Sequence, residues 1–312
     1  MERKDISMQN YEKIPVVDKH NQNTFLERRR EFENSHFQKG VSGIMDSIFV
    51  IDVSTSDLCN RTCVFCPRHN PEVYPNRNLH MTGEGAEVIS KKIAEINFKG
   101  TIAISGFCEN LLNPNILDII QQFRKYNPDI WIECNTNGDP LTKEFIHDLF
   151  DRGLSCLHIN LYDGPEQVPV FDEMIEGLDD VEQKIKYRVH WSQEDFGIIF
   201  NNRSGLVDWY GQEDASLDEV KDSPCYVPFY KLFIDWNGDV LFCANDWGRS
   251  RVVGNVLQQS IKEIWLCKEL NKIRKRLAKG NRKHKPCNTC SVRGTLVGGN
   301  SFDMLVNYYE TK

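Results

Sequence analysis

Apolar residues between positions 47 and 215 fall into two alternating patterns along the chain. Short continuous apolar runs predict buried strands, and they are SIFVIDV (47–53), GTIAIS (100–105), DIWIECN (129–135), LSCLHINL (154–161), KIKYRVHW (184–191) and FGIIF (196–200). Segments with helical spacing, such as AEVISKKIAEI, NILDIIQQFRKY, LTKEFIHDLFDRG and PVFDEMIEGLDD, lie between them. Strands that alternate with helices indicate a parallel sheet with crossover connections. About six such units in roughly 170 residues predict an open, partial (βα)6 TIM-like barrel within an α/β fold.

The pattern changes near residue 216. Two apolar runs flank Asn237-Gly238 in FYKLFIDWNGDVLFC and predict a tight β-hairpin. The segment 260–280 predicts one helix that ends at Gly280. Its basic run is interpreted as a solvated face, with a phosphate site as the alternative. The predicted units are a polar N-terminal extension with an exposed helix at ERRREFE (1–46), the barrel (47–215), and a small hairpin-plus-helix domain (216–312).

Composition narrows the functional classes. The chain has 312 residues, of which 40% are hydrophobic, so it can build a sizeable core. Its net charge of −7 argues against general binding to nucleic acid or to an anionic membrane. No apolar run approaches the roughly 20 residues that span a bilayer, and the polar N-terminus lacks the apolar core of a secretory signal. We therefore expect a cytoplasmic protein.

The 11 cysteines are numerous for a reducing compartment, and their clustering points to metal. Four of them, Cys108, Cys134, Cys156 and Cys267, stand apart, and apolar packing is their default interpretation. The others form a first set, Cys59, Cys63 and Cys66, and a second set, Cys225, Cys243, Cys287 and Cys290.

The first set has the spacing C-x3-C-x2-C and follows the first predicted strand, at the barrel edge where loops carry chemistry. A zinc site completed by His69 or His80 is one interpretation. The other is a 4Fe–4S cube held by thiolates at three irons, with the fourth iron open.

The segment CNRTCVFC, with Phe65 before the third cysteine, resembles the signature of radical S-adenosylmethionine (radical SAM) enzymes. The resemblance implies that the open iron binds S-adenosylmethionine (SAM). It also implies reductive cleavage of SAM to a 5′-deoxyadenosyl radical that abstracts a substrate hydrogen atom.

Downstream segments resemble the same family at successive strand ends. SGFCENLLNP resembles the segment that binds the methionine amino group, NTNGDPL the ribose-contacting turn, and INLYDG the next strand end. Cys108 and Asn110 depart from the usual Gly and Pro around the glutamate. The resemblance implies cofactor contacts from Phe65, Gly106, Glu109, Thr136, Asn137 and Asn160.

For the second set, zinc remains an interpretation, since four cysteines with a terminal C-x2-C suit a tetrahedral site. The whole tract from Cys225 to Cys290 nevertheless resembles the SPASM and twitch auxiliary-cluster domains. With four cysteines, the resemblance implies one fully ligated auxiliary 4Fe–4S cluster. Such a cluster would accept an electron from the substrate, or it would have a purely structural role.

These resemblances imply a radical SAM oxidoreductase, and we expect it to oxidise a carbinol of a sugar, an aminocyclitol or a sugar-derived metabolite. The alternatives are a sugar epimerase, with Cys108 or Cys267 as thiol donor, a peptide-modifying enzyme, and a non-catalytic iron–sulfur electron carrier. An external one-electron reductant such as flavodoxin or ferredoxin is the expected partner. NNRSG (201–205) resembles a segment of sugar-pathway members, with a plain polar turn as the alternative. Further candidates at strand ends are Asp163, Arg188, His190 and Trp191. The candidate catalytic residues are Arg188 and Cys108.

Overall fold

A computed structural model of the chain describes residues 24–178, 180–190, 201–207 and 217–311. Within these residues the strands form one eight-stranded sheet. The strands are β1 (Val50–Val53), β2 (Thr101–Ile104), β3 (Trp131–Thr136), β4 (Cys156–Leu161), β5 (Ile185–Val189), β6 (Lys231–Ile234), β7 (Asp239–Leu241) and β8 (Val252–Asn255). Their spatial order is β5-β4-β3-β2-β1-β6-β7-β8. The strands from β5 to β6 in this order are parallel, whereas β7 and β8 are antiparallel. The predicted α/β fold with a partial barrel is confirmed.

Helices alternate with the first five strands and bury one apolar side, as a parallel sheet requires. The core is contributed by residues such as Ile89, Ile93, Ile119, Ile120 and Phe123. The helices are α1 (Thr24–Gln38), α2 (Gly83–Glu95), α3 (Ile116–Tyr126), α4 (Lys143–Asp151), α5 (Gln167–Ile175), α6 (Leu217–Val220), α7 (Val227–Tyr230), α8 (Ile261–Trp265), α9 (Lys268–Ala278) and α10 (Gly299–Glu310). Short 3-10 turns occur at Ile44–Ser47, Pro67–His69, Asn110–Leu112, Glu182–Lys184, Arg203–Gly205 and Cys287–Thr289. None of the helices in the described part of the chain has the length and apolar character needed to cross a membrane.

The sheet continues across the predicted boundary between residues 215 and 216. Strand β6 pairs in parallel with β1, with Val50 opposite Lys231 and Val53 opposite Ile234. The sixth parallel strand therefore comes from the segment assigned to the small C-terminal domain. The predicted strand at FGIIF (196–200) lies outside the described residues. The hairpin at Asn237-Gly238 is present, and it joins β6 to β7.

The prediction of a single helix over 260–280 is wrong, because this segment forms two separate helices, α8 and α9. Cys267 has an extended backbone (ψ 154°), and its Sγ accepts a hydrogen bond from the Leu270 amide at 3.4 Å. A thiol that caps a helix start satisfies one of the unpaired amides there. Cys267 is thus a helix cap, which the sequence pattern did not reveal.

The helix predicted at ERRREFE is present as part of α1, but the prediction that it is exposed is wrong for one of its sides. In α1, Arg29 and Glu33 are only 5% exposed. Arg29 Nη2 lies 3.3 Å from Glu133 Oε1 and 3.9 Å from Asp52 Oδ1, on strands β3 and β1. Glu33 accepts hydrogen bonds from the amides of Gly298 and Asn300, both at 2.8 Å. Helix α1 therefore closes the barrel at the amino ends of its strands and holds the start of α10.

Glu133 stays ionised in this setting. Burial alone would raise the pKa of its carboxyl, but the His158 hydrogen bond and the charges of Arg29 and Arg28 outweigh burial and lower it. A buried carboxylate is stabilised only while its cationic partners are in place.

Replacement of Arg29 tests this closure. We expect Arg29→Met to lower the free energy of unfolding by about 3 kcal/mol, because it leaves buried carboxylate charge less compensated. Urea unfolding followed by circular dichroism measures the change. Glu31→Ala, at an exposed position of the same helix, is the control and should change stability little. Equal stability of the two variants would contradict the closure.

Candidate active site

The first cysteine set lies in the long connection between β1 and α2. Cys59, Cys63 and Cys66 are half-buried, and the Cys66 amide donates to the Cys63 carbonyl at 2.9 Å. Burial, followed by the neighbouring thiols of Cys66 and Cys59, raises the pKa of Cys63 to about 12. The three thiols are therefore close enough to influence one another. Three neighbouring thiols fit a cluster that is bound at three corners and open at the fourth.

A buried arginine holds this connection in place. Arg68 is 2% exposed and donates to the Phe107 carbonyl at 2.8 Å, to Asp57 Oδ1 at 2.8 Å and to Asn76 Oδ1 at 2.7 Å. Asn76 in turn bonds both the amide and the carbonyl of Cys59. The sequence analysis missed this residue, although an arginine two positions after Cys66 was a visible signal.

Two residues between Cys59 and Cys63 connect the cysteine loop to the next strand ends. Asn60 Nδ2 donates to Asp139 Oδ2 at 2.7 Å, and Asn60 Oδ1 accepts from Asn137 Nδ2 at 2.7 Å. Arg61 binds Asp139 with Nε at 2.6 Å and Asp163 with Nη1 at 2.9 Å. Asp163, a candidate substrate residue, is thus an ion-pair partner of the loop. In the sequence, the positions of Asp139 and Asp163 after two consecutive strands could have indicated these contacts with the cysteine loop.

Glu109 joins the ends of β2 and β3. Its Oε1 accepts from the Leu111 amide at 3.0 Å and from Thr136 Oγ1 at 2.8 Å, and its Oε2 accepts from the Asn137 amide at 2.7 Å. Burial raises the pKa of this carboxyl to about 7, although the three donors oppose the increase. Gly106, in the same connection, has φ +132°, and a Cβ there would lie 2.8 Å from Ser54 Cβ. A side chain at this position would therefore separate β2 from the cysteine loop.

An aromatic group stands beside the cysteine loop. The Phe65 ring lies 5.2 Å from Tyr162 and 6.1 Å from His190, and the latter pair is stacked. His190 Nε2 is 3.1 Å from Asn160 Oδ1, and Asn160 Nδ2 donates to the Thr136 carbonyl at 2.8 Å. Burial, then the charges of Arg188 and Arg203, lower the pKa of His190 well below its usual value, so the imidazole is neutral. Trp191 lies outside the described residues.

The two candidate catalytic residues have polar partners. Arg188 Nη1 donates to Asn135 Oδ1 at 3.0 Å, across from β5 to β3. Cys108 Sγ lies 3.5 Å from Ser54 Oγ and 3.3 Å from Asn110 Oδ1. Burial raises the pKa of this thiol to about 12, which keeps it protonated. The structure thus places Cys108 against the start of the cysteine loop.

The NNRSG segment brings a further cation to the site. The charge of the Arg203 guanidinium opposes the rise that burial causes in the pKa of Cys66, and the guanidinium lies 5.6 Å from the centre of the Trp247 ring. Its Nε is buried without a hydrogen-bond partner among the described residues. Because guanidinium is a donor only, this buried N–H can donate to an oxygen atom of a ligand.

The backbone of this segment is strained, and the second cysteine region holds it. Arg203 and Ser204 both have left-handed φ values, 48° and 59°. Asn202 exchanges hydrogen bonds with Ser291 at 3.0 and 3.1 Å and donates to the Thr289 carbonyl at 2.7 Å. Ser204 Oγ donates to the Asn245 carbonyl at 2.6 Å. Strain that the surroundings enforce is typical of functional positions.

The second cysteine set lines one cavity. Its walls include Ser204, Phe242, Leu277 and the four cysteines Cys225, Cys243, Cys287 and Cys290. Burial raises the pKa of Cys225 to about 11, and the Cys290 thiol contributes to the increase. Gly294 packs against this wall, where a Cβ would lie 2.1 Å from Cys225 Sγ. Four thiols around one cavity fit a fully ligated cluster.

Arg282 closes the cavity on the Cys225 side. It is 3% exposed and donates to the carbonyls of Ser223, Pro224 and Val292 at 2.8–3.0 Å.

Among the residues that the structure describes, no three His, Cys, Asp or Glu side chains are arranged around a point as one metal ion requires.

Substitution of Gly294 tests the assignment of the second set. We expect Gly294→Ala to lower the iron and acid-labile sulfide bound per chain by about half, because the new Cβ displaces Cys225 Sγ. Iron and sulfide analysis of anaerobically purified protein measures this. Gly299→Ala is the matched control, since nothing lies within 4 Å of its added Cβ. Wild-type iron content in the Gly294 variant would contradict the assignment.

Two known family profiles match the parts of the chain that contain the two cysteine sets. The radical SAM superfamily profile matches residues 53–190, and the SPASM iron–sulfur cluster-binding domain profile matches residues 225–291. The first match contains Cys59, Cys63 and Cys66, and the second contains the four cysteines of the second set.

Individual relatives extend this result along the chain. A curated S-adenosyl-L-methionine-dependent 2-deoxy-scyllo-inosamine dehydrogenase of Niallia circulans is 27% identical over 256 residues, which are 80% of this chain and 96% of the relative. The crystal structure of BtrN in complex with AdoMet and 2-DOIA has a TM-score of 0.68 and 24% identity, and the match covers 80% of this chain and 96% of that structure. The structure of anSMEcpe with bound AdoMet has a TM-score of 0.51 and 15% identity, and the match covers 85% of this chain and 93% of that structure. The chain therefore contains a radical SAM domain over residues 53–190 and a SPASM iron–sulfur domain over residues 225–291, and it is an oxidoreductase that uses 4Fe–4S clusters and SAM.

Proposed function

We propose that this enzyme oxidises one carbinol of a small polyhydroxylated ring, an aminocyclitol or a sugar derivative. The 27% identical dehydrogenase, matched over 96% of its length, supports this class of substrate. The observation that carries the proposal is the position of Arg203. Its Nε is buried without an acceptor among the described residues, its charge opposes the rise that burial causes in the pKa of the Cys66 thiol, and the next residue, Ser204, lines the second cysteine cavity.

In this proposal the two cysteine sets have separate roles on one sheet. Residues 47–215 carry the radical site, with Cys59, Cys63 and Cys66 holding the first cluster. Residues 216–312 carry the auxiliary site, with Cys225, Cys243, Cys287 and Cys290 holding the second. When bound, the first cluster and SAM would supply a 5′-deoxyadenosyl radical for removal of the carbinol hydrogen atom, and the second cluster would supply an acceptor for one electron.

The strand-end residues would bind SAM. We propose that the Glu109 carboxylate binds the methionine ammonium, for which a carboxylate is the natural partner. One face of the Phe65 ring stacks with His190, and we propose that its other face lies against adenine. The remaining proposed cofactor contacts are Gly106, Thr136, Asn137 and Asn160.

Arg203 would bind the carbinol oxygen. A guanidinium remains charged and donates hydrogen bonds, so it stabilises the oxygen as that atom loses its proton. Oxidation needs this proton loss together with the loss of one electron. Arg188 is proposed to support the same pocket, because its charge also acts on Tyr162 and His190.

Epimerisation is the second candidate, with Cys108 as the hydrogen donor. The Cys108 S–H donates to Asn110 Oδ1 at 3.3 Å. A thiol engaged in this way is poorly placed to return a hydrogen atom to substrate, which favours oxidation. We also propose a one-electron carrier protein, flavodoxin or ferredoxin, as the reductant.

The pH dependence of SAM binding tests the role of Glu109. The free carboxyl has a pKa of about 7, so its carboxylate form is lost as the pH falls below that value. We expect SAM affinity to fall towards the limit of about tenfold per pH unit below pH 7. Titration of the cluster's electron paramagnetic resonance signal with SAM measures the affinity. Glu109→Gln should bind weakly and lose the pH dependence, whereas Glu84→Gln, at an exposed position of α2, should behave as wild type.

Isotope transfer tests the reaction. With 2-deoxy-scyllo-inosamine deuterated at the reacting carbinol carbon, we expect deuterium in 5′-deoxyadenosine and a ketone as the product. In D2O with unlabelled substrate, one deuterium at a retained carbinol carbon would instead show epimerisation.

Arg203→Gln separates substrate binding from SAM chemistry. It should raise KM for this substrate by about tenfold or more, because a charged hydrogen bond to substrate oxygen is lost. The SAM-induced change in the cluster spectrum should be retained. Arg152→Gln, on the exposed surface at the end of α4, is the control, and an unchanged KM in the Arg203 variant would contradict the assignment.

A further inference from the structure

Helix α9 presents a row of cations to solvent. Five basic side chains line an open groove of about 560 Å³ on this helix, together with Asn271 and Asn281. The cations are Lys268, Lys272, Lys275, Arg276 and Lys279. Among the described residues, none of these five forms a salt bridge. The acidic residue of the same helix, Glu269, pairs with Arg251 at 2.8 Å and does not neutralise the groove. We call these five residues the α9 basic face.

The opposite side of the same helix borders the auxiliary site. Leu277 is 1% exposed and lines the cavity of the second cysteine set. A helix with its side chains is about 10 Å across. One layer of protein therefore separates the α9 basic face from the cavity that would hold the auxiliary cluster.

The helix is fixed to the body of the protein. Arg274, on its inner side, is fully buried and donates to the carbonyls of Pro228 and Trp265 at 2.8 and 2.6 Å. The Cys267 cap fixes its first turn. The basic face is thus held in one position relative to the auxiliary cysteines, as a docking surface for electron transfer requires.

The charge of the whole chain makes this face selective. The net charge is −7, so an acidic protein is repelled by the molecule as a whole and attracted to the α9 basic face. Complexes for electron transfer are small, weak and dependent on charge complementarity. A small acidic electron carrier therefore fits both the charge and the location.

We propose that the α9 basic face is the docking surface for an acidic one-electron carrier protein of the flavodoxin or ferredoxin type. This inference rests on the proposed function. The substrate carbinol gives a hydrogen atom to the 5′-deoxyadenosyl radical, then a proton to solvent and one electron to the auxiliary site. That electron crosses α9 and reduces the oxidised carrier by one electron, which leaves the auxiliary site ready for the next turnover.

The first experiment measures binding of purified oxidised flavodoxin to the holoenzyme by calorimetry at low and high NaCl. Wild type should bind, and its affinity should fall as salt rises. Charge reversal on the face should weaken binding by about tenfold or more at low salt. The test variant is K268E/K272E/K275E/K279E, and the matched control, with the same change in net charge at exposed positions elsewhere, is K39E/K99E/K125E/K184E.

Equal weakening by the two variants would overturn the proposal, because it would show an effect of net charge alone. Binding of a short single-stranded RNA to wild type as tightly as flavodoxin, with the same loss in the test variant, would also overturn it. Iron content and circular dichroism report folding of the variants. The milder K272Q/K275Q should reduce the salt dependence of flavodoxin binding even where the full reversal impairs folding, and an unchanged salt dependence would overturn the proposal.

Electron transfer separates this inference from the proposed function. With dithionite as reductant, wild type and the α9 variant should form equal amounts of 5′-deoxyadenosine, since the radical site is intact. Under single-turnover conditions, with dithionite removed before oxidised flavodoxin is added, flavodoxin should be reduced rapidly by wild type and at least about tenfold more slowly by the variant. Failure of wild type to oxidise the carbinol with dithionite would reject the proposed function, whereas the binding measurements would still judge the docking surface.

Discussion

The pairing of β1 with two neighbours is the constraint on which both cysteine sites depend. Strand β1 lies between β2 and β6, in parallel with both. The first cysteine loop leaves the carboxyl end of β1, and Cys243 follows β7, the antiparallel partner of β6. Adjacent strands are about 4.8 Å apart, so β1 and β7 are separated by roughly 10 Å at the sheet. Because β7 runs antiparallel to β6, Cys243 leaves the sheet at the end where β1 begins, whereas the first cysteine loop leaves the other end of β1. One sheet therefore sets the positions of both sites.

A buried group of charges fixes the loops above this sheet. Asp57, in the cysteine loop, accepts from Arg68 at 2.8 Å and from Arg249 at 3.1 Å. Arg249 also pairs with Asp235, at the turn between β6 and β7. Buried ion pairs contribute little net stability, but a missing partner is costly, so only one arrangement of these loops is favourable. This network of ion pairs thus fixes the arrangement of the loops, whereas the sheet fixes the spacing of the strands from which the loops leave.

The parts of this protein that sequence reasoning predicted are those that depend on local pattern. The strand and helix alternation, the hairpin at Asn237-Gly238 and the grouping of the cysteines each follow from residues close together in the chain. The parallel pairing of β6 with β1 does not follow from local pattern, because the two strands are about 180 residues apart. Neither apolar run indicates which strand pairs with it. The burial of Arg29 was missed for the same reason, since arginine is usually exposed and its partners, Asp52 and Glu133, lie on distant strands.

The segment that carries Arg203 bears on the role of the auxiliary site. Asn202 bonds Thr289 and Ser291, which flank Cys290, and these bonds hold two consecutive left-handed residues. Such a backbone costs of order 1–3 kcal/mol per residue and relaxes when its support is removed. Metal ligation would fix the turn that contains Cys287 and Cys290, and through it the position of Arg203. In the proposed function, the auxiliary cluster would therefore have a structural role as well as an electron-accepting role. The same cluster would receive the electron and would support Arg203, the residue proposed to bind the substrate oxygen.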